Sequence, residues 1–407
     1  MAYPKQYTDE QLRAAMQRAK GNKRAAARML KVHPSSVMAR WDKLALAEAG
    51  VINRAAPRSE QDAEELKSLR AQVKELSKVS ADLNAIKAIV GRIDADISEP
   101  PAWLLKPTKT GKLVHGVPTL MLSDLHFGEV VKASEVNGVN AYSTAIAKKR
   151  LKRVIEGSVS LLRRALAPGE FGGMVVQLGG DMVEGVIHSE LRETVDETVM
   201  QAVITLHDEL VPALKGLCDE FGRLFVPCAY GNHGRLDRKP RAKLDGALNF
   251  DWLLYQILAR TIAADKRYKD RITFMIPEGR DCLYRLCGVR YLLTHGDTFR
   301  GGSGITGPLL PWMRGDMKTR KAYSAMNQPY DVLCMGHWHQ LRFLDRIVVN
   351  GCLVGFNEYA LRERFDFEVP QQALWLTHPT RGMTFKEGIF ADDPPPTKHA
   401  GWIEVQR

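Results

Sequence analysis

Leu120-Met121-Leu122-Ser123-Asp124-Leu125-His126 decides how the rest of the chain is read. The apolar run predicts a short buried strand, and the Asp and His that follow at i and i+2 share one side of an extended segment. Such a pair is common on its own, but the arrangement recurs along the chain. Met174-Val175-Val176 precedes Gly180-Asp181, and Leu224-Phe225-Val226 precedes Gly231-Asn232-His233. Tyr291-Leu292-Leu293 precedes Thr294-His295-Gly296-Asp297, and Val332-Leu333-Cys334 precedes Gly336-His337-Trp338-His339. Glycine beside nearly every donor lets backbone approach closely. Open α/β sheets form their ligand sites at strand carboxyl ends. Carboxylate, amide and imidazole donors gathered there, without cysteine, suit two divalent metals that activate water against a phosphate ester.

Working outward, strands alternate with helices from about residue 113. Strands are expected at 118–123, 173–178, 224–229, 272–276, 289–294, 331–335, 347–350 and 371–376. Long helices are expected near 140–166, 190–221 and 245–264. That alternation predicts an α/β domain over residues 100–390, with an extended, peripheral tail at 391–407. No apolar run is long enough for a membrane span, and no signal-type segment follows Met1-Ala2-Tyr3-Pro4. The six cysteines show no CxxC and no framework spacing, so a reducing, cytoplasmic setting is expected.

The net charge of +11 is unevenly placed: residues 1–58 hold twelve Lys/Arg against four acids, a local +8. A basic segment of that kind points to a polyanion partner, with nucleic acid first among them. Three helices are predicted within it. Thr8-Asp9-Glu10-Gln11 reads as a capping box, and Gly21 as the end of that helix. Asn22 caps a second helix, 23–30, with Ala25, Ala26, Met29 and Leu30 as its buried side. Pro34-Ser35-Ser36 opens a third, with Val37, Trp41 and Leu44 inward and Ser35, Ser36, Arg40 and Lys43 outward. A basic second helix after a three-residue turn is the layout of a helix-turn-helix, and those four outward residues are its expected DNA contacts. The stretch 21–40 resembles Fis-type and small-terminase-type helix-turn-helix domains.

Residues 59–99 form a separate segment. Apolar residues from Leu66 to Ile97 recur at threes and fours, predicting one long helix ended by Glu99-Pro100-Pro101. A stripe of that length needs a partner. A parallel coiled-coil homodimer through residues 66–97 is expected, with packing on the next domain as the alternative.

Taken together, the motifs over residues 120–340 resemble the calcineurin-like metallophosphoesterase superfamily, whose pattern is D-x-H, GD, GNH, a His-Gly pair and GHxH in that order. The resemblance implies a four-layer α/β sandwich, two mixed β-sheets flanked by helices, holding two divalent metal ions. Manganese is the first expectation, with iron, zinc or magnesium as alternatives. By motif, Asp124, His126 and His339 would hold one ion, Asn232, His295 and His337 the other, with Asp181 between them. His233 would donate a proton to the leaving oxygen. Two departures stand out: Gly234 and Arg235 follow GNH where the family usually has an acid, and Glu184 stands in place of the second Asp of GDxxD. Glu184, His188 and Arg235 are therefore expected to support a ligand or touch substrate.

Two basic stretches flank the motifs: Arg235, Arg238, Lys239, Arg241 and Lys243 after GNH, and Arg314, Lys318, Arg320 and Lys321 with Trp312 and Tyr323 before GHxH. Read as loops, they suit a phosphodiester backbone or ordinary surface equally. The leading functional expectation is a metal-dependent DNA nuclease targeted by its N-terminal module, a layout resembling phage or prophage proteins. The alternatives are a phosphatase or cyclic-nucleotide phosphodiesterase acting on small esters, and a non-catalytic DNA-binding regulator.

Overall fold

The computed structural model describes residues 7–33, 37, 40–41, 116–165, 171–185, 187, 194–237, 239–300 and 307–393. The chain divides into two compact units, Met1–Ala85 and Ile86–Arg407. Residues 66–97, with the expected dimer stripe, lie outside the described residues, as do the boundaries expected at 58/59 and 99/100. Among the described residues no helix is long and apolar enough to cross a membrane.

The first unit opens with α1 (Asp9–Arg18), started by the Thr8–Gln11 capping box, and α2 (Lys23–Met29), capped by the Asn22 side chain. The turn out of α1 is made by Lys20 at φ 46° and Gly21 at φ 81°, so the expected glycine has positive φ and the lysine before it does too. Leu12, Ala15, Met16, Ala26, Ala27 and Val37 form its core. Met29 lies outside that core, 55 % exposed, and Ala27 takes the inward position expected of it. Adjacent alanines let the helices approach closely, where a methionine stem would hold them apart.

The second unit is mixed α/β. One sheet has the order β11-β10-β1-β2-β3-β4. Its strands are β1 (Val117–Leu122), β2 (Met174–Leu178), β3 (Leu224–Pro227), β4 (Ile272–Met275), β10 (Gln371–His378) and β11 (Gly382–Phe390). The other has the order β5-β6-β7-β9-β8. It comprises β5 (Cys282–Leu286), β6 (Val289–Thr294), β7 (Val332–Met335), β8 (Arg342–Phe343) and β9 (Ile347–Val349). β1 through β4 run parallel, as do β6, β7 and β9, while β10, β11, β5 and β8 are antiparallel to their neighbours.

Alternate residues of each strand serve different layers. Leu120, Leu122, Val176 and Val226 face α3 (Thr144–Ser160), α4 (Val199–Phe221) and α5 (Phe250–Ala264). Met121, Val175, Phe225 and Trp375 meet Tyr284, Tyr291, Leu293 and Cys334 between the sheets. Leu292, Leu333, Met335 and Val349 pack on Trp312 of α6 (Leu309–Ala325). The layers therefore run helices, sheet, sheet, helix. Strands buried on both faces read as continuous apolar runs, which is why most were visible in sequence.

Three expectations are corrected. The basic stretch 314–321 is the helix α6, not a loop, and Arg320 is held within it by Asp316 (2.7 Å) and stacked over Tyr330. Pro311 lies in its first turn, where a missing N–H costs no helical hydrogen bond. The peripheral tail does not begin at 391: Ala391 is buried, and Asp392 pairs at 3.0 Å with Arg150, a buried guanidinium that cannot be left unpaired. Helix α4 starts at Val199 rather than near 190, where the Thr198–Gln201 capping box sets it.

Candidate metal centre

All the motif-bearing turns leave the carboxyl ends of β1, β2, β3, β6 and β7. Their donors converge in three overlapping sets: Asp124 with His126 and His339, His126 with Asp181 and His233, and Asp181 with His295 and His337. In each set the candidate ligand atoms lie within 4.8 Å of one another. Asp181 reaches both sides, its Oδ2 at 2.9 Å from His295 Nε2 and 4.0 Å from His126 Nε2. Asn232 sits between Gly231 and His233, two residues that both touch Asp181.

The turns are strained. Asp124, His126, Asp181, His337 and His339 all have left-handed backbone, φ between 46° and 70°. Non-glycine residues held there cost about 1–3 kcal/mol each, and such strain persists only where the surrounding packing enforces it. Tight approach explains the glycines. A Cβ on Gly231 would collide with Asp181 Oδ1, and one on Gly336 with Asp124 Oδ2.

His126, His233, His295 and Asp124 are each oriented from behind. Glu184 accepts at both oxygens, from His126 Nδ1 (2.6 Å) and His233 Nδ1 (2.7 Å). Gly179 O accepts from His295 Nδ1 (2.9 Å), leaving Nε2 toward the centre. Ser123 Oγ donates to Asp124 Oδ2, and the His337 N–H donates to Asp124 Oδ1. Such contacts fix the imidazole tautomer and raise ligand basicity.

The donor set fits cations. Burial alone would raise Asp181 and Glu184, but the neighbouring imidazoles outweigh it. His295 and His233 hold Asp181 well below the usual range, and His233 with His126 brings Glu184 down to about 2. The reverse pull, against burial, lifts His295 to about 10 through Asp181 and His233 to about 9 through Glu184 and Asp181. Burial and the adjacent His295 push His337 down to about 4. Buried carboxylates therefore draw positive charge onto the ring nitrogens facing them, the place a divalent cation takes when protons leave. His126 Nε2 and His339 Nε2 face each other at 3.2 Å, and Asn232 Oδ1 is buried with no hydrogen-bond partner. A buried acceptor without a partner, in a turn between two residues of the site, is what an amide ligand would present before its ion is bound.

Three contributors escaped the sequence reading. Asp251, buried in the first turn of α5, accepts from the backbone N–H of Asp181 (2.8 Å), Met182 (3.1 Å) and Gly231 (2.9 Å). Its neighbour Asn249, the helix cap, donates to Gly231 O (2.7 Å). Glu129 forms a further donor group with His126 and Glu184. The Asn249-Phe250-Asp251 triplet gives a helix-cap signal but nothing that links it to the turns at Gly231 and at Asp181 and Met182, the latter about seventy residues away.

Arg235 is half-buried with its Nε on Asp237 O (3.0 Å), and His188 lies outside the described residues. In the first unit Ser35, Ser36 and Lys43 likewise lie outside them. Arg40 is turned back onto its own unit: its Nε meets Asp9 Oδ1 at 2.8 Å and its guanidinium lies over Tyr7 at 5.1 Å. The expected outward cation is thus partly engaged, since Asp9 supplies a carboxylate within reach.

No curated protein matches the chain. Residues 9–44, under a tenth of its length, match the family described as "Bacterial regulatory protein, Fis family", and the first unit accordingly carries a helix-turn-helix of DNA-binding type.

Proposed function

We propose that this chain is a dinuclear-metal phosphodiesterase that hydrolyses DNA, brought to its substrate by the N-terminal helix-turn-helix. One observation carries the reading. Asp124, His126, Asp181, His295, His337 and His339 converge from four strand ends, and Asn232, in the turn after β3, presents an unpartnered buried oxygen. Asp124, His126 and His339 would hold one ion and Asn232, His295 and His337 the second, with Asp181 serving both. When bound, such a pair supplies Lewis-acid charge for the phosphate oxygens and lowers the pKa of the attacking water.

The chain's own residues do the rest. Glu184 locks His126 and His233 by their Nδ1 atoms, which makes Nε2 of His233 the atom to hand a proton to the leaving oxygen. The strained, glycine-backed turns hold the donors before substrate arrives, so little reorganisation remains for the reaction itself. The DNA-binding module on the same chain favours a polynucleotide over a small ester.

The test is turnover by the full-length protein in manganese on plasmid, linear duplex and single-stranded DNA, and on a simple aryl phosphodiester. Cleavage of DNA that falls more than about a hundredfold in Asp181→Asn is expected. Turnover of the small ester alone makes the protein a phosphatase or small-molecule phosphodiesterase. DNA binding with no metal-dependent turnover makes it a regulator.

A further inference from the structure

Between β9 and β10 the chain carries a group of exposed rings beside the centre. Leu353 donates its N–H to the Asp124 carbonyl (3.0 Å), and Asn357 Nδ2 donates to Glu129 Oε1 (3.0 Å). Asn357 then caps α7 (Glu358–Glu363), which ends at Arg364 in left-handed backbone. The chain folds back so that Phe365 meets Tyr359 edge-on at 5.7 Å and Phe367 meets Phe356 at 5.6 Å. Tyr359, Phe365 and Phe367 remain 54, 44 and 50 % exposed, and none belongs to a core cluster of the described residues.

Charge narrows what such a surface fits. Over residues 358–368, Arg362 and Arg364 stand against Glu358, Glu363, Asp366 and Glu368, and the Arg362 guanidinium lies over one face of Tyr359 at 5.3 Å. A phosphate backbone or an anionic membrane calls for net positive charge. Ring faces in a segment without net positive charge fit the flat, uncharged face of a nucleobase rather than its phosphate. In a duplex those faces are covered by their neighbours, so the fit is to an unpaired base.

We infer that Tyr359, Phe365 and Phe367 form a stacking platform for an unpaired nucleobase of the strand whose phosphate enters the metal centre. This rests on the DNA-hydrolase reading and deepens it, naming unpaired strands or ends as the substrate. Fluorescence anisotropy tests it with the full-length protein in chelator and fluorescein-labelled single strands, one base-bearing and one abasic. Excess unlabelled duplex occupies the residue 9–44 module.

Wild type is expected to bind the base-bearing strand roughly tenfold more tightly than the abasic one. The combined variant Tyr359→Leu, Phe365→Leu, Phe367→Leu keeps apolar bulk without ring faces, and should lose that gap at unchanged melting temperature. The variant Phe365→Tyr, Phe367→Tyr keeps the rings and should retain it. A gap absent in wild type, or unchanged in the leucine variant, overturns the inference. So does an intact gap accompanied by loss of self-association in sedimentation, which would assign the rings to a face between copies. Turnover in manganese is read separately. A base-dependent gap with no hydrolysis of any phosphodiester keeps the platform and removes the hydrolase reading.

Discussion

Glu184 is the residue on which the two halves of the proposed chemistry meet, because one carboxylate holds both His126, the proposed ligand, and His233, the proposed proton donor. Glu184→Gln preserves shape but removes the charge and one acceptor. Metal affinity and turnover should both fall about 10- to 100-fold, read by isothermal titration and steady-state kinetics. A change under twofold in both would show that the histidines are oriented by other means. The donors were legible as residues because each follows an apolar run and most have a glycine beside them. Asp251 was not: what it binds are backbone N–H groups, and a backbone partner leaves no mark in the amino-acid sequence. Arg40 was legible as an outward cation, but helical spacing does not show that Asp9 and Tyr7 lie beside it.

At the scale of elements, the N-terminus of α5 ties together the turns after β2 and β3. Asp251→Asn leaves size unchanged while replacing an acceptor for three buried N–H groups by a poorer one. Unsatisfied buried donors cost about 1–3 kcal/mol each, so a loss of at least about 2 kcal/mol is expected in urea unfolding, together with weakened metal binding. Unaltered stability would mean that α5 does not organise the centre. Strands buried on both faces were readable, whereas β11 was not, its side chains being mostly half-buried or exposed without alternation. β5 was missed although Cys287 and Gly288, both with positive φ, make the two-residue turn to β6. Gly315 hid α6: it reads as a breaker, yet it is small because Phe299 lies where its Cβ would be.

For the whole molecule, the α/β character and the order of the motifs were legible, while the pairing of two sheets through Trp375, Tyr284 and Phe225 depends on contacts between residues up to 150 positions apart. Charge adds the second element of the account: most of the chain's excess sits in the first 58 residues, in the unit that carries the helix-turn-helix. The fold brings six of the seven proposed donors together, and the DNA-binding module on the same chain is the ground for proposing a polynucleotide substrate. The most direct test is anomalous diffraction from manganese-soaked crystals of the full-length protein. Two peaks are expected, one on Asp124, His126 and His339, the other on Asn232, His295 and His337, with Asp181 touching both. No peak there, or a single ion bound without Asp181, would contradict it.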